Sequence, residues 1–208
     1  MSAKKILLVE GPDDEHVVKA ICGRRNLARI DEIRPHGGKD ELLEALPVRL
    51  KESDVESLGV VIDADTDLLA RWESLRGRFI QAGYENVPGS PFASGVILDA
   101  PANSLLPRAG IWLMPDNTTT GILEDFLRFL VPAPNVLFQH AEESVLQIPP
   151  SEQRFSLLSR PKALIHTWLA WQTEPGKPLG LSITARFLDH GVPQVDVFVR
   201  WLQDLFRI

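Results

Sequence analysis

Cysteine and tyrosine are nearly absent from this chain of 208 residues, since each occurs once, as Cys22 and Tyr84. A single cysteine excludes an internal disulfide and any zinc site built from several cysteines. The sequence also lacks an apolar run of transmembrane length, and the segment MSAKKILLVEG lacks a signal-peptide cleavage site. We therefore expect a cytoplasmic protein that does not reside in a membrane.

An excess of positive charge is missing as well, because 22 Lys and Arg residues stand against 28 Asp and Glu residues, for a formal net charge of −6. The imbalance lies in residues 1–130, which hold 15 basic and 21 acidic residues, whereas residues 131–208 hold 7 of each. A protein that coats nucleic acid non-specifically presents a basic face, so this class is disfavoured. An acidic cluster is instead a feature that divalent cations neutralise.

Apolar patterning predicts three strand-helix units in series, with strands at 4–9, 29–35 and 58–62. Apolar residues at helical spacing follow each strand, over 13–22, within HGGKDELLEALPVRL and over 66–82. Further strands are predicted at 95–99 and 110–114, and further helices at 121–130, 139–147, 160–172 and 194–206. Serial units of this kind favour an α/β fold with a mostly parallel, Rossmann-like sheet flanked by helices.

This patterning also suggests how the chain is organised. We expect a core over residues 1–130 and a helical C-terminal extension over 131–208 that packs on it. The three tryptophans of the extension, Trp168, Trp171 and Trp201, are expected in the core, while a homo-oligomer is left open by the sequence.

Acidic side chains follow two of the predicted strands where those strands end. Glu10 follows KKILLV, and Asp63 and Asp65 follow LGVVI, with Asp67 continuing the alternate spacing. In a parallel sheet the carboxyl ends of the strands meet at one edge, and alternate residues of an extended segment point the same way. Crowded carboxylates need a compensating cation or hydrogen-bond donor, and an oxygen-only ligand set favours Mg²⁺ or Mn²⁺ over Zn²⁺. The structural alternative is that Asp63 and Asp65 cap the next helix and that Glu10 is solvated.

The combination of these motifs resembles a known fold. Glu10 in LLVEGPDDEHVV, the glycines of HGGKDEL and the Asp63–Asp65 pair in VVIDADTD resemble the Toprim fold of topoisomerases, bacterial primases and nucleases related to the OLD (overcoming lysogenization defect) family. The resemblance covers roughly residues 4–130, and later segments favour the OLD-like and small stand-alone Toprim branch. It implies a Toprim-like α/β core.

Two later segments extend the site that the resemblance implies. GIWLMPDNTTTGILEDFL resembles a Toprim segment that makes Glu124 a second-metal ligand, with Asp116 and Asp125 as weaker candidates. GKPLGLSITARFL resembles the Gly-Lys segment of OLD-like proteins, which makes Lys177 the cation that stabilises charge on a phosphate, with Lys162 in SRPKALIHTW as its competitor. The structural alternatives are that the acids stabilise the first turn of a helix and that either lysine is an exposed side chain.

The implied chemistry is cleavage of a phosphodiester by two metal ions. Glu10 and Asp63 would hold one ion, and Asp65 with either Glu124 or Asp67 would hold the second. The resemblance thus implies a Mg²⁺- or Mn²⁺-dependent nuclease or phosphoryl-transfer protein that acts on DNA or RNA.

Several features depart from the better-known Toprim enzymes. Tyr84, in AGYENVPG, gives no support for breakage-and-reunion chemistry, and a primase-type zinc segment is missing. The sequence has no GxxxxGK[ST] loop, so an ATPase would be a separate partner. The alternative function is therefore a non-catalytic metal- or nucleic-acid-binding accessory protein that works beside such an ATPase. A phospho-acceptor of the receiver type is disfavoured, because a receiver is shorter and pairs its acids after the first strand.

Overall fold

The computed structural model describes residues 4–28 and 30–208 of the chain. Its centre is a five-stranded sheet with the strand order β2-β1-β3-β5-β4. The strands are β1 (Lys4–Val9), β2 (Glu32–Pro35), β3 (Val55–Asp63), β4 (Val96–Leu98) and β5 (Arg108–Met114). The pairs β1–β2, β1–β3 and β3–β5 are parallel, whereas β4 runs antiparallel to β5. The predicted α/β class, with a mostly parallel sheet flanked by helices, is confirmed.

Eight helices surround this sheet in the described part of the chain. They are α1 (Pro12–Arg24), α2 (Lys39–Arg49), α3 (Leu68–Ala82), α4 (Leu123–Phe129), α5 (Val136–Leu146), α6 (Arg160–Ala170), α7 (Leu179–Thr184) and α8 (Pro193–Phe206). The sequence does not predict α7, because a helix of six residues is too short to show an apolar period. The predicted second strand began at Arg29, which lies outside the described residues. Across the described ranges, helices that combine the length and the apolarity needed to span a bilayer are not found.

The sheet separates two hydrophobic clusters, because alternate residues of each strand face opposite sides. Ile6 and Leu8 of β1 face α2 and α3, whereas Leu7 and Val9 face α1, α4, α6 and α8. Both faces of the sheet are therefore covered, which explains why the strands are continuous apolar runs rather than alternating ones.

The last helix lies directly on the central strands. A Cβ atom at Gly110 in β5 would stand 2.6 Å from Leu205 Cδ2, and one at Gly59 in β3 would stand 2.8 Å from the same atom. These two glycines let α8 approach the backbone of the sheet closely. Residues after 130 thus belong to the same hydrophobic cluster as the strands.

The predicted helix over 194–206 corresponds to α8, which buries an apolar stripe: Phe198, Trp201, Leu202, Leu205 and Phe206. Trp168 of α6 is buried as predicted. Trp171 is a correction, since 39% of it is exposed and its ring packs against His140 at a centroid distance of 5.3 Å. It follows the last residue of α6, where the chain leaves the core.

Candidate functional site

The parallel sheet brings the acids at its strand ends together. Val9 of β1 pairs with Val61 of β3, so Glu10, the residue after β1, lies beside Asp63, the last residue of β3. The backbone N–H of Asp63 donates a hydrogen bond to Glu10 Oε1 at 2.7 Å. The predicted convergence of Glu10 and Asp63 at one edge is therefore present in the structure.

These two acids open into a pocket of about 340 Å³, which we call the carboxylate pocket. It lies where the first turns of α1, α2 and α4 approach the sheet edge. Its lining residues are Glu10, Gly11, Pro12, Asp13, Asp14, His36, Gly37, Gly38, Asp63, Leu123, Glu124 and Lys162. A larger pocket of about 460 Å³ lies at the opposite edge of the sheet, but there Asp99 is already paired with Arg108. The concentration of acids, rather than the volume, distinguishes the carboxylate pocket.

The acids of this pocket are deeply buried, and some of their oxygens lack hydrogen bonds. Asp14 is 7% exposed and Glu124 is 2% exposed. Within residues 4–28 and 30–208, three solvent-inaccessible carboxylate oxygens have no hydrogen-bond partner, namely Asp14 Oδ1, Asp63 Oδ1 and Glu124 Oε1. A buried polar atom without a partner costs free energy, and a charged one costs more. Three such oxygens on residues that line one pocket make this pocket the candidate for a cation site.

The pKa shifts of these acids have the same cause. Burial, together with the charge of Glu10, raises the pKa of Asp14 to about 7. Burial also raises the pKa of Asp63 well above its ordinary value, with Glu10, Asp14 and Glu124 adding repulsion. Burial raises the pKa of Glu10 too, although the hydrogen bond from the Asp63 N–H opposes this. Each carboxylate is thus destabilised by its neighbours, and a divalent cation would relieve all of them together.

Asp65 lies apart from these acids. Its carboxylate Oδ2 accepts hydrogen bonds from Lys39 Nζ at 2.8 Å and from Arg71 Nη2 at 2.6 Å. The backbone of Asp65 is left-handed, with φ 56°, so the segment after β3 is not extended. The expectation that Asp63 and Asp65 point the same way is therefore wrong, because alternation holds only for extended backbone. The second aspartate of the motif is neutralised by protein cations instead.

The turn at Asp65 also fixes the start of α4. The N–H of Asp65 donates to Gly121 O at 2.9 Å, and the N–H of Gly121 donates to Asp65 O at 2.8 Å. Arg71 Nε donates to Asp63 O at 3.0 Å. This pairing joins the strand end that carries Asp63 to the helix that carries Glu124.

The remaining predicted acids have local structural roles. Asp67 is exposed and caps α3, because its Oδ1 accepts from the N–H of Ala70 at 2.9 Å. Asp116 closes the turn after β5: burial alone would raise its pKa, but the N–H and O–H donors of Thr118 and Thr119 lower it overall. Asp125 accepts from the N–H of Ile122 at 3.0 Å at the start of α4. For these acids, helix and turn capping is the role that the structure supports.

The two candidate lysines are separated by the fold. Lys162, in the first turn of α6, lines the carboxylate pocket, and its Nζ stands 3.2 Å from Glu124 Oε1 without the alignment of a hydrogen bond. Lys177 Nζ instead pairs with Glu174 Oε2 at 2.7 Å. Of the two lysines, Lys162 is the one that the described structure brings to the acids.

Comparison with known proteins gives one match over nearly the whole chain. A family model described as "Protein of unknown function (DUF3226)" matches residues 4–207. The chain belongs to the DUF3226 family. The curated proteins and the solved structures give no match. The matched range includes every element of the fold, so the carboxylate pocket and α6 belong to one family unit.

The acids of this DUF3226 chain are the type of ligand that a hard cation prefers, but their side chains do not stand in coordinating positions. Groups of three or more His, Cys, Asp or Glu side chains in coordinating positions are not found in the described ranges. Asp14, Asp63 and Glu124 nevertheless line a common pocket, and carboxylate oxygens are the ligands that Mg²⁺ and Mn²⁺ prefer.

Asp14 is the member of this set that the sequence patterns do not single out. It lies in the first turn of α1, where acids are common because they interact favourably with the helix dipole. Its Oδ2 accepts from the N–H of Gly11 at 3.1 Å, while its Oδ1 is left without a hydrogen-bond partner in the described structure. The one available signal was the Glu-Gly-Pro-Asp-Asp segment, which starts a helix at the end of a buried strand.

Proposed function

We propose that this protein is a Mg²⁺- or Mn²⁺-dependent enzyme that cleaves or transfers phosphodiester groups of nucleic acid. The observation that carries the proposal is that Asp14, Asp63 and Glu124, which line one pocket with Glu10, each have a buried carboxylate oxygen without a hydrogen-bond partner in the described structure. The Toprim resemblance of the strand-end acids supports the same chemistry and remains a prediction.

Different residues of the pocket would bind the cation and the phosphate. Glu10, Asp14 and Asp63 would hold the cation, which when bound supplies an acidic water and charge stabilisation for a phosphoryl group. Lys162 lies at the mouth of the pocket with a side chain 51% exposed, where its ammonium group can contact a phosphate oxygen. Gly11, Gly37 and Gly38 line the pocket without side chains, which leaves room for a phosphate to approach the acids.

The local charge explains how an acidic protein would bind a polyanion. Lys39 and Arg71 lie beside the pocket, on Asp65, and Lys162 lies on Glu124. Three cations thus stand near the acids despite the formal net charge of −6. We expect weak, cation-dependent binding of nucleic acid rather than tight non-specific coating.

One observation favours the second candidate, an accessory protein that keeps the metal but does no chemistry. Asp65, which the two-metal scheme needs, is already bonded to Lys39 and Arg71. Such a protein would act beside a separate ATPase, and it would bind the ion without cleaving nucleic acid.

Cleavage assays decide between the two candidates. Supercoiled plasmid and labelled single-stranded DNA and RNA would be incubated with Mg²⁺ or Mn²⁺ and either wild-type protein or Asp63→Asn. The matched control is Asp67→Asn, since Asn caps a helix as well as Asp does and Asp67 is exposed. Cleavage by the wild type and Asp67→Asn but not by Asp63→Asn is the expected result. Equal cleavage by all three would indicate a contaminant, and metal binding without cleavage would favour the accessory protein.

A further inference from the structure

The ligands predicted for a second metal ion are already engaged by other groups of the protein. Asp65 is bonded to Lys39 and Arg71, and Arg71 is only 12% exposed, with a further hydrogen bond from its Nε to Asp63 O. Releasing Asp65 would leave a nearly buried guanidinium group without its carboxylate, which is costly. Asp67 points to the N-terminus of α3, where it caps the helix. Glu124 is the one predicted second-metal ligand that remains in the pocket, and Lys162 is 3.2 Å from it.

We propose that the carboxylate pocket binds a single divalent cation through Glu10, Asp14 and Asp63, and that the ammonium group of Lys162 occupies the place of a second cation beside Glu124. This inference rests on the proposed function. Asp14 supports the ion site by more than its charge, because it lines the pocket, is 7% exposed and, among the described residues, has no hydrogen-bond partner for its Oδ1.

The position of Lys162 in its own helix points to a role in the site. Lys162 lies in the first turn of α6, which begins with Arg160 and contains no acidic residue in that turn. Positive side chains are unfavourable at a helix N-terminus, since the helix dipole is positive there. The buried carboxylate of Glu124 compensates for this, because α6 packs against α4, which carries Glu124. The contact between the two helices thus delivers a fixed positive charge to the pocket.

Lys162 is a fixed cation of the site, because a lysine ammonium group is protonated at neutral pH and here stands 3.2 Å from the Glu124 carboxylate. Unlike Mg²⁺, it needs no exchange with solvent ions. Its side chain is 51% exposed, so its ammonium group reaches both Glu124 and a phosphate at the mouth of the pocket.

The stoichiometry of Mn²⁺ binding tests this inference without relying on activity. Isothermal titration calorimetry and electron paramagnetic resonance would count the bound Mn²⁺ ions in wild-type protein, Lys162→Met and Lys177→Met. Lys177→Met is the matched control, because Lys177 pairs with Glu174 rather than with the pocket acids. We expect one ion in the wild type and in Lys177→Met, and two in Lys162→Met, where Glu124 is released and Asp13 and Asp63, which line the same pocket, supply further oxygens to the second ion.

The other outcomes separate this inference from the proposed function. Two ions in the wild type would overturn the role of Lys162 and leave a metal-dependent enzyme standing. One ion in Lys162→Met with unchanged affinity would also overturn it. No Mn²⁺ binding above that of Asp63→Asn would overturn both the inference and the metal-dependent function.

Discussion

The two aspartates of the segment after β3 lie two residues apart and in opposite environments. Asp63 faces Glu10, Asp14 and Glu124, and its pKa is raised well above the ordinary value by burial and by those charges. Asp65 is bonded to Lys39 and Arg71 and ties the strand end to Gly121. The negative charge of Asp63 thus lies among other acids, whereas the protein neutralises the charge of Asp65 with two cations. The same spacing in the sequence produces one candidate ligand and one structural anchor.

The largest expected effect is the difference in Mn²⁺ affinity between Asp63→Asn and Asp65→Asn. Asp63→Asn should weaken Mn²⁺ binding on the order of 100-fold, because it removes a charge from the pocket at the point where the acids converge. Asp65→Asn should change Mn²⁺ affinity far less, since its carboxylate is bonded to Lys39 and Arg71. Calorimetric titration measures both, and equal losses would make Asp65 a metal ligand after all.

The shortage of positive charge around Asp63 also predicts how stability depends on pH without metal. Burial and Glu10 raise the pKa of Asp14 from 3.8 to about 7, so between these values the folded protein holds a proton that the unfolded chain has lost. The free energy of unfolding in EDTA should therefore fall as pH rises across that window, by up to a few kcal/mol. Chemical denaturation at several pH values measures this slope.

Neighbouring acids in α1 provide the control for this pH effect. Asp14→Asn should flatten the slope and raise stability near neutral pH in EDTA, while it weakens Mn²⁺ binding. Asp13→Asn should leave the slope unchanged, because Asp13 is exposed in the same turn of the helix. A slope that survives Asp14→Asn intact would assign the effect to Glu10 and Asp63, whose pKa values are also raised by burial.

The contrast between Asp63 and Asp65 shows where sequence reasoning succeeds and where it fails. The buried runs predict the strands, and the parallel arrangement then places Glu10 beside Asp63, because it depends on strand direction alone. Asp65 escapes prediction because its left-handed backbone breaks the alternation of an extended strand, and Asp is among the few residues that adopt this conformation readily. Local sequence patterns do not predict the backbone dihedral angle of one particular residue.

Contacts between distant segments set the other limit on prediction. Asp14 has the sequence features of an ordinary first-turn acid, and only the packed fold shows that it is buried in the pocket. The choice between Lys162 and Lys177 likewise depends on α6 packing against α4, which no local period encodes. The sequence supplies the chemistry of such residues but not their burial.

A smaller effect is expected from substitution of Gly121, whose backbone pairs with that of Asp65. Gly121 has φ 146°, and a Cβ there would stand 2.6 Å from Asp125 Oδ2. Gly121→Ala should therefore destabilise the protein by about 1–3 kcal/mol, and should also weaken Mn²⁺ binding because the turn at Asp65 shifts. Gly77→Ala is the matched control, since Gly77 lies inside α3 with open space around it and alanine favours a helix. Equal stability of the two variants would show that the pairing of Asp65 with Gly121 is not rigid.

The smallest expected effect belongs to Asp67, the third acid of the same segment. Asp67→Ala removes the side chain that accepts the N–H of Ala70, so the free energy of unfolding should fall by about 1 kcal/mol. Mn²⁺ affinity should not change, because this carboxylate points away to cap α3. Denaturation and calorimetry on the same protein separate the two effects, with Asp67→Asn retaining the cap. A loss of Mn²⁺ affinity in both Asp67 variants would mean that the segment after β3 reorganises around the ion and brings all three of its acids to one site.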